Sequence, residues 1–437
     1  MNAPREIWVG VAETFVRTGK RPAPPGGHDG LNPSERSSIV RTGLSGLLVA
    51  TVVAALLTAG HAIAATGAKW TAAPPPPMPT IATGSVLQDV TVLSPNDVWA
   101  VGAWWDAVRH PLAVHWNGTA WSAVPTPDAP TTLDAYSLAA VDGIASGDVW
   151  AVGSVESHAT EPPVTSPLVL HYDGSAWSVA PSPSGPAGSQ SALADVDMRT
   201  ADDGWAVGQT AEAGRAPQPL ILRWQSGQWA RVATPAIGIT SRLTSVFAGS
   251  ADDAWAVGTQ IRQNDKQASL VLHWDGVSWT QVTVPDALGA SGSEVLESVA
   301  AATSTEVWAV GSTCDKTSLV PCAPLVLHLS RGAWRVVPTA AGTGALTEVV
   351  PFSPTDVWVI GYASTQALSD SDHAEHWDGQ RFTIDPTVPG AAPPMSSNGK
   401  PASALAAAAG DKASGVLWAL GWFQDSAGRV PHVIYRG

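Results

Sequence analysis

Five histidines recur at one position of a repeated string: His115, His171, His273, His328 and His376, as in Leu-Val-Leu-His-Trp at 270–274. Imidazole is the commonest protein metal ligand, so five rings gathered at a point would make a metal centre. Equivalent positions in successive repeats are spread out rather than gathered, and Arg223 stands in the third copy's place. The histidines are therefore expected to hydrogen-bond between neighbouring repeats, and no metal site is expected. Asp97, Asp148, Asp203, Asp253, Glu306 and Asp356 recur in the same way, two residues before a tryptophan. An aspartate ahead of a strand accepts from its own backbone in the turn.

Cys314 and Cys322 share one loop, Thr313-Cys-Asp-Lys-Thr-Ser-Leu-Val-Pro-Cys. Outside the cytoplasm two such thiols form a disulfide that pins the loop, and the Cys-x-x-Cys spacing of a redox pair is absent. Gly-x-Ser-x-Gly, His-Glu-x-x-His, the phosphate loop and Gly-x-Gly-x-x-Gly are absent too. Enzymes can still assemble a site from scattered loop residues.

The chain that must position these groups has 437 residues, with 23 Lys and Arg against 37 Asp and Glu, a net charge of −14. That balance argues against a nucleic-acid partner, which requires a basic face. Two cysteines exclude a disulfide-dense scaffold. The 21 Trp outnumber 5 Phe and 4 Tyr together, so tryptophan occupies a recurring position.

That position is the string Asp-Val-Trp-Ala-Val-Gly at 97–102, repeated with small changes around Trp150, Trp205, Trp255, Trp308, Trp358 and Trp418. A second string follows each copy, as in Pro-Leu-Ala-Val-His-Trp-Asn-Gly-Thr-Ala-Trp at 111–121, and puts Trp121, Trp177, Trp229, Trp279, Trp334 and Phe382 at another repeat position. Asn117-Gly118 and Asp275-Gly276 between apolar runs are strong hairpin signals. Each unit thus reads as four short strands, a to d, apolar on both faces. A lone four-stranded sheet cannot bury both faces, whereas sheets stacked around an axis can. The fold class is all-β, a seven-bladed β-propeller with four strands per blade. The seventh unit stops after three strands, and Lys69-Trp70-Thr71-Ala72 near the other end resembles an orphan strand d. The N-terminal strand is therefore expected to close the last blade. The repeat tryptophans should fill the spaces between blades, with each indole N–H satisfied locally.

This layout resembles the kelch and galactose-oxidase-type propellers across residues 65–437. Kelch blades end strand b with Gly-Gly, whereas one Gly follows Trp-Ala-Val here. The Asp-Gly-x-x-Trp turn is similar to a shortened Asp-box of sialidase-type propellers. No copper ligands and no arginine triad can be placed on a matching motif, so the resemblance implies a fold and no catalytic residues. No cofactor is expected, although the acidic loops have a composition that suits calcium.

Residues 1–42 carry no packing period and read as a disordered cytoplasmic stretch, or as an extension ahead of a start near Val40. Residues 43–64 contain the uncharged run Leu44 to Gly60 after Arg41, followed by Ala62-Ile63-Ala64. That is the layout of a secretory signal cleaved between Ala64 and Ala65, with an uncleaved membrane anchor as the rival reading. Either way residues 65–437 are exported, and the membrane is met only through the N-terminal segment.

In such a fold the b–c and d–a connections emerge on one face, and here these vary while the a–b and c–d turns are stereotyped. Variable loops on a rigid scaffold carry binding. Residues on that face that break the repeat are Trp104, Trp105, Tyr362, Trp422 and Phe423, flanked by Asp106, Arg109, Asp425 and Arg429. Aromatic rings beside charged groups suit a glycan or protein ligand, so the expected function is a monomeric, non-catalytic exported binding module. The alternative is a carbohydrate-active hydrolase or lyase using carboxylates such as Glu156, Glu161 or Asp372.

Overall fold

The computed structural model describes residues 68–437 except 80–81, 128–133, 160–162, 184, 186–187, 263–265, 288–291, 316–321, 365–369, 390–402 and 425–428. The expected disordered stretch, the signal segment and the Ala64–Ala65 cleavage point lie outside the described residues. The propeller coincides with one compact unit, Ala64–Gly437. Among the described residues every regular element is a strand, and no helix is long and apolar enough to cross a membrane.

Seven four-stranded antiparallel sheets form the blades. Blade 1 shows the pattern: strand a at Gly84–Ser94, b at Asp97–Trp105, c at Arg109–Trp116 and d at Trp121–Ala123. In blade 7 the order is Trp70–Ala72, Arg429–Arg436, Val416–Gln424 and Ser403–Asp411. Strand d of that blade therefore comes from the N-terminal side, with Trp70 opposite Arg436, Thr71 opposite Tyr435 and Ala72 opposite Ile434.

Strand a carries a bulge at the same point in every blade, as between Leu87 and Asp89 or Leu243 and Ser245. The extra residue pushes a carbonyl against strand b, and this explains the invariant Gly of Trp-Ala-Val-Gly. A Cβ on Gly102 would sit 2.0 Å from the Val86 carbonyl oxygen, and the same collision awaits Gly153 and Gly258. No side chain fits there, so glycine is required by close approach rather than by its backbone angle.

The cores lie between blades. Trp99 of blade 1 packs with Leu138, Val149, Leu168 and Trp177 of blade 2, and Trp418 of blade 7 packs with Leu87, Val98 and Trp121 of blade 1. Three expectations need correction. Each strand-c histidine bonds within its own blade: His115 Nε2 lies 2.8 Å from Asp97 Oδ1, and His171, His273, His328 and His376 repeat the pairing. Register explains this, because Trp99 is opposite His115 and the imidazole stacks on the indole at 4.4 Å. The aspartate is thus held by the histidine rather than spent on its own turn. Nor are the core indoles satisfied locally. Trp150 Nε1 donates to Asp148, but the N–H groups of Trp99, Trp205, Trp255 and Trp308 find no acceptor among the described residues. Neighbouring rings enclose them instead, as where Trp99 meets Trp177 edge-on at 5.5 Å.

Candidate functional site

Blade 1 departs from the repeat where strand b leaves for strand c. The connection is a tight turn in which Asp106 Oδ1 accepts from the Val108 N–H at 3.0 Å and lies 3.1 Å from His110 Nε2. The Val108 N–H, then the His110 bond, lower the Asp106 carboxyl below its usual range. Oriented in this way, His110 stacks almost parallel on Trp104 at 4.1 Å. Trp104 in turn lines a cavity of about 240 Å³ with Pro79, Pro111, Val124, Pro125 and Thr126. The cavity opens between the b–c and d–a connections, on the face with the variable loops. Beside it Trp105 lies over Gly84, is 38% exposed and stands opposite Arg109.

The expected residues of blades 6 and 7 gather around a different centre. Tyr362 is opposite Asp372, whose side chain is fully buried and receives a 2.9 Å bond from His432 Nε2 of blade 7. Burial raises the Tyr362 hydroxyl, with Asp370 and Glu297 adding to the shift. Phe423 meets His432 edge-on at 6.1 Å, and Trp422 stands opposite Pro431 in the same hairpin. Arg429 is opposite Gln424, its side chain outside the described residues, as is Asp425. Among the described residues one ring pair forms on His110 within blade 1 and another on His432 within blade 7.

His110 and His432 escaped sequence reasoning because neither belongs to the histidine repeat. The carboxylates of the axis escaped it as well. After each strand-a bulge comes Asp89, Asp195, Ser245, Ser298 or Glu348 in blades 1, 3, 4, 5 and 6. Strand a is the innermost strand, and one side of its backbone is unpaired. Asp89 accepts from its own Val90 N–H and from Val141 of blade 2, both at 2.8 Å. Asp195 does the same with Val196 and Val246, while Ser245 accepts from Val299 and Ser298 from Val349. Ser298 also donates to Glu348. Two residues further on, Asp142 accepts from Met198 and Asp197 from Ala248. Aligning the strand-a segments on Leu87, Leu193, Leu243, Leu296 and Leu346 would have exposed this polar column two residues further along.

These carboxylates keep some accessible surface towards the axis, yet protein surrounds them, so burial raises all five. Asp89 is pushed up to about 8, with Asp195 adding to the effect, and Asp142 and Asp195 to about 6. Asp197 and Glu348 move in the same direction. Lys412 Nζ, from the a–b turn of blade 7, donates to the Ala301 carbonyl of blade 5 at 3.3 Å. Among the described residues no group of three or more His, Cys, Asp or Glu is placed to hold a metal ion. Cys314 and Cys322 are joined in a disulfide.

No protein-family model matches the chain, and no curated protein matches it. Solved structures do. YCF48 from Cyanidioschyzon merolae is similar at 14% identity and a TM-score of 0.47, over 84% of this chain and 98% of that one. A YCF48 structure bound to a D1 peptide is similar at 13% identity and 0.47, over 84% and 94%. The fucose-specific lectin from Aleuria aurantia is similar at 14% identity and 0.39, over 70% and 97%.

Proposed function

We propose that residues 65–437 form an exported, non-catalytic binding propeller whose b–c and d–a face takes a glycan or protein ligand. The observation that carries this reading is the Trp104 cavity. It is mainly apolar, with a ring held in place by Asp106 through His110, and it lies on the face where the blades differ. Preformed apolar concavities with a few oriented polar groups are the usual form of a binding site. Of the carboxylates named for hydrolysis, Asp372 is engaged within the fold and not presented to a ligand. Its side chain is buried against His432, whereas Glu156 lies 3.6 Å from His158 and Glu161 is outside the described residues, so neither of these two bears on the choice. The kelch-like kinship is proposed on the repeat layout alone.

Retention on glycan and cell-wall columns tests the reading. The full chain should be retained on at least one column, and Trp104→Ala should weaken that retention at least tenfold. No retention, or equal retention of the variant, would refute the site. Release of reducing sugar by the purified chain would favour a hydrolase instead. Export is part of the same proposal. Mass spectrometry of secreted material should find a terminus at or near Ala65, whereas recovery of the intact chain only in membranes would favour an anchor.

A further inference from the structure

Blade 3 departs from the repeat three times on the opposite face, the one built from a–b and c–d turns. Arg223 stands where five other blades carry histidine. Arg199, near the end of strand a, matches Leu93 and Ile144 in the two preceding blades, by register with their bulges. Both guanidinium groups converge on Asp203: Arg199 Nε donates to one oxygen at 2.8 Å and Arg223 Nε to the other at 2.9 Å. Asp203 is buried, and Arg223 Cζ lies over the Trp205 ring at 4.8 Å, with one further bond to the Ala251 carbonyl. Both arginines are therefore fixed rather than trailing in solvent.

The third departure is the c–d turn. In blades 1, 2, 4 and 6 the turn glycine packs against the a–b turn: Gly118 on Asn96, Gly174 on Gly147, Gly276 on Asp252 and Gly379 on Thr355. Blade 3 uses a tighter Ser226-Gly227 turn, with φ of 55° and 76°, and Gly227 faces open space. The uncovered area is a cavity of about 480 Å³ lined by Arg199, Arg223, Thr200, Gln225, Ser226 and Asp202. Blade 5 shares the tight turn at Arg331-Gly332 but carries His328 in place of the second arginine.

We propose that this cavity binds an oxyanion, a carboxylate or a phosphate or sulfate group, borne by a hydroxylated ligand. Guanidinium presents five N–H donors in a plane. Among the described residues the Nη groups of Arg199 have no protein acceptor, and Arg223 uses one Nη. The lining carries two guanidinium groups and two carboxylates, Asp203 held between the arginines and Asp202, so the anion is drawn by the unused guanidinium N–H donors rather than by a net charge. The remaining N–H groups suit a planar two-point contact with an oxyanion. Thr200, Gln225 and Ser226 supply donors and acceptors for hydroxyls. This site is separate from the Trp104 cavity in face, residues and ligand chemistry.

Titration of the full chain with glucuronate, inorganic phosphate and glucose tests it, using NMR or calorimetry. Glucuronate or phosphate should bind saturably at low salt, glucose should not, and Arg199→Ala should weaken binding at least tenfold. Arg223→His installs the residue the other blades use, so it should fold normally and still lose affinity. Glucuronate alone assigns a carboxylate ligand, and phosphate alone a tetrahedral one. Binding of neither anion, equal binding of glucose, or unchanged affinity in both variants would overturn the proposal.

Discussion

The Asp89 carboxyl of blade 1 accepts the Val141 N–H of blade 2 at 2.8 Å, so a side chain at the axis seals an edge that no strand pairs. A buried unpaired N–H is expensive, and a side chain from the neighbouring blade removes that expense. The same carboxylate stands near Asp195 and Asp142, which resist its ionisation together with the surrounding protein. The contact that joins the blades is thus also a proton site.

A pH dependence follows. Asp89, with a folded value of about 8, and Asp142 and Asp195, at about 6, lie above the roughly 3.9 of an unfolded aspartate. The folded state therefore holds more protons than the unfolded one between these values, and stability declines as pH rises through them. Melting temperature should fall from pH 5 to pH 8. Asp89→Asn removes one proton site and should flatten the decline, with little loss at pH 8. A melting temperature that rises steadily from pH 5 to 8 would contradict this.

The closing strand carries its own expectation. Trp70 is 5% exposed, meets Trp358 of blade 6 edge-on at 6.0 Å and aligns with Arg436. Trp70→Ala should lower the unfolding free energy by about 3–5 kcal/mol, the usual range for a large buried ring. Deleting residues 65–75 should do more, because it exposes the Arg429–Arg436 strand as an open edge prone to aggregation. A truncated chain that stays monomeric and melts like the parent would show that closure contributes nothing.

Sequence alone showed the blades because their signals repeat. Five Trp-Ala-Val-Gly strings, their variants at 358–361 and 418–421, and the orphan Trp70 segment define strands, number and closure without reference to contacts. What it did not show depends on neighbours around the ring. Asp89, Asp195 and Glu348 lie in separate strands among other polar residues such as Gln88, Asp197 and Thr347, and only the circular arrangement places them together. His110 lies five residues before the repeat histidine, and nothing about it alone indicates that it stacks on Trp104. The three departures in blade 3 become one site only when Asp203 is seen between two arginines.

The Cys314–Cys322 disulfide joins the end of strand b to the start of strand c in blade 5, where Thr313 and Ala323 are already opposite one another. The sheet holds the ends close even without the bond. Cys314→Ser/Cys322→Ser should therefore lower stability by about 1–2 kcal/mol, less than loop-closure entropy alone suggests. Chemical denaturation of the double variant against the oxidised parent measures it; unfolding of the variant at room temperature would show that the bond holds the blade.

Core rings and ligand rings should respond differently to truncation. Trp255 is buried, stacks on His273 at 4.2 Å and meets Trp334 edge-on at 5.5 Å. Its replacement by alanine opens a cavity between blades 4 and 5 and should cost about 3–5 kcal/mol. Trp104 is half-buried, with His110 on one side and open space beside it. Less area leaves water when it folds, so Trp104→Ala should cost under about 2 kcal/mol. Binding should rank the two in reverse, since a ring that lines a site dominates its affinity while a remote core ring does not. Trp422→Ala, beside Phe423 and His432, tests whether the blade 7 group behaves like Trp104 or like Trp255. Denaturation and column retention of the three variants, measured side by side, decide the matter. A large stability loss for Trp104 with unchanged retention would make it an ordinary packing residue and leave the cavity without a role.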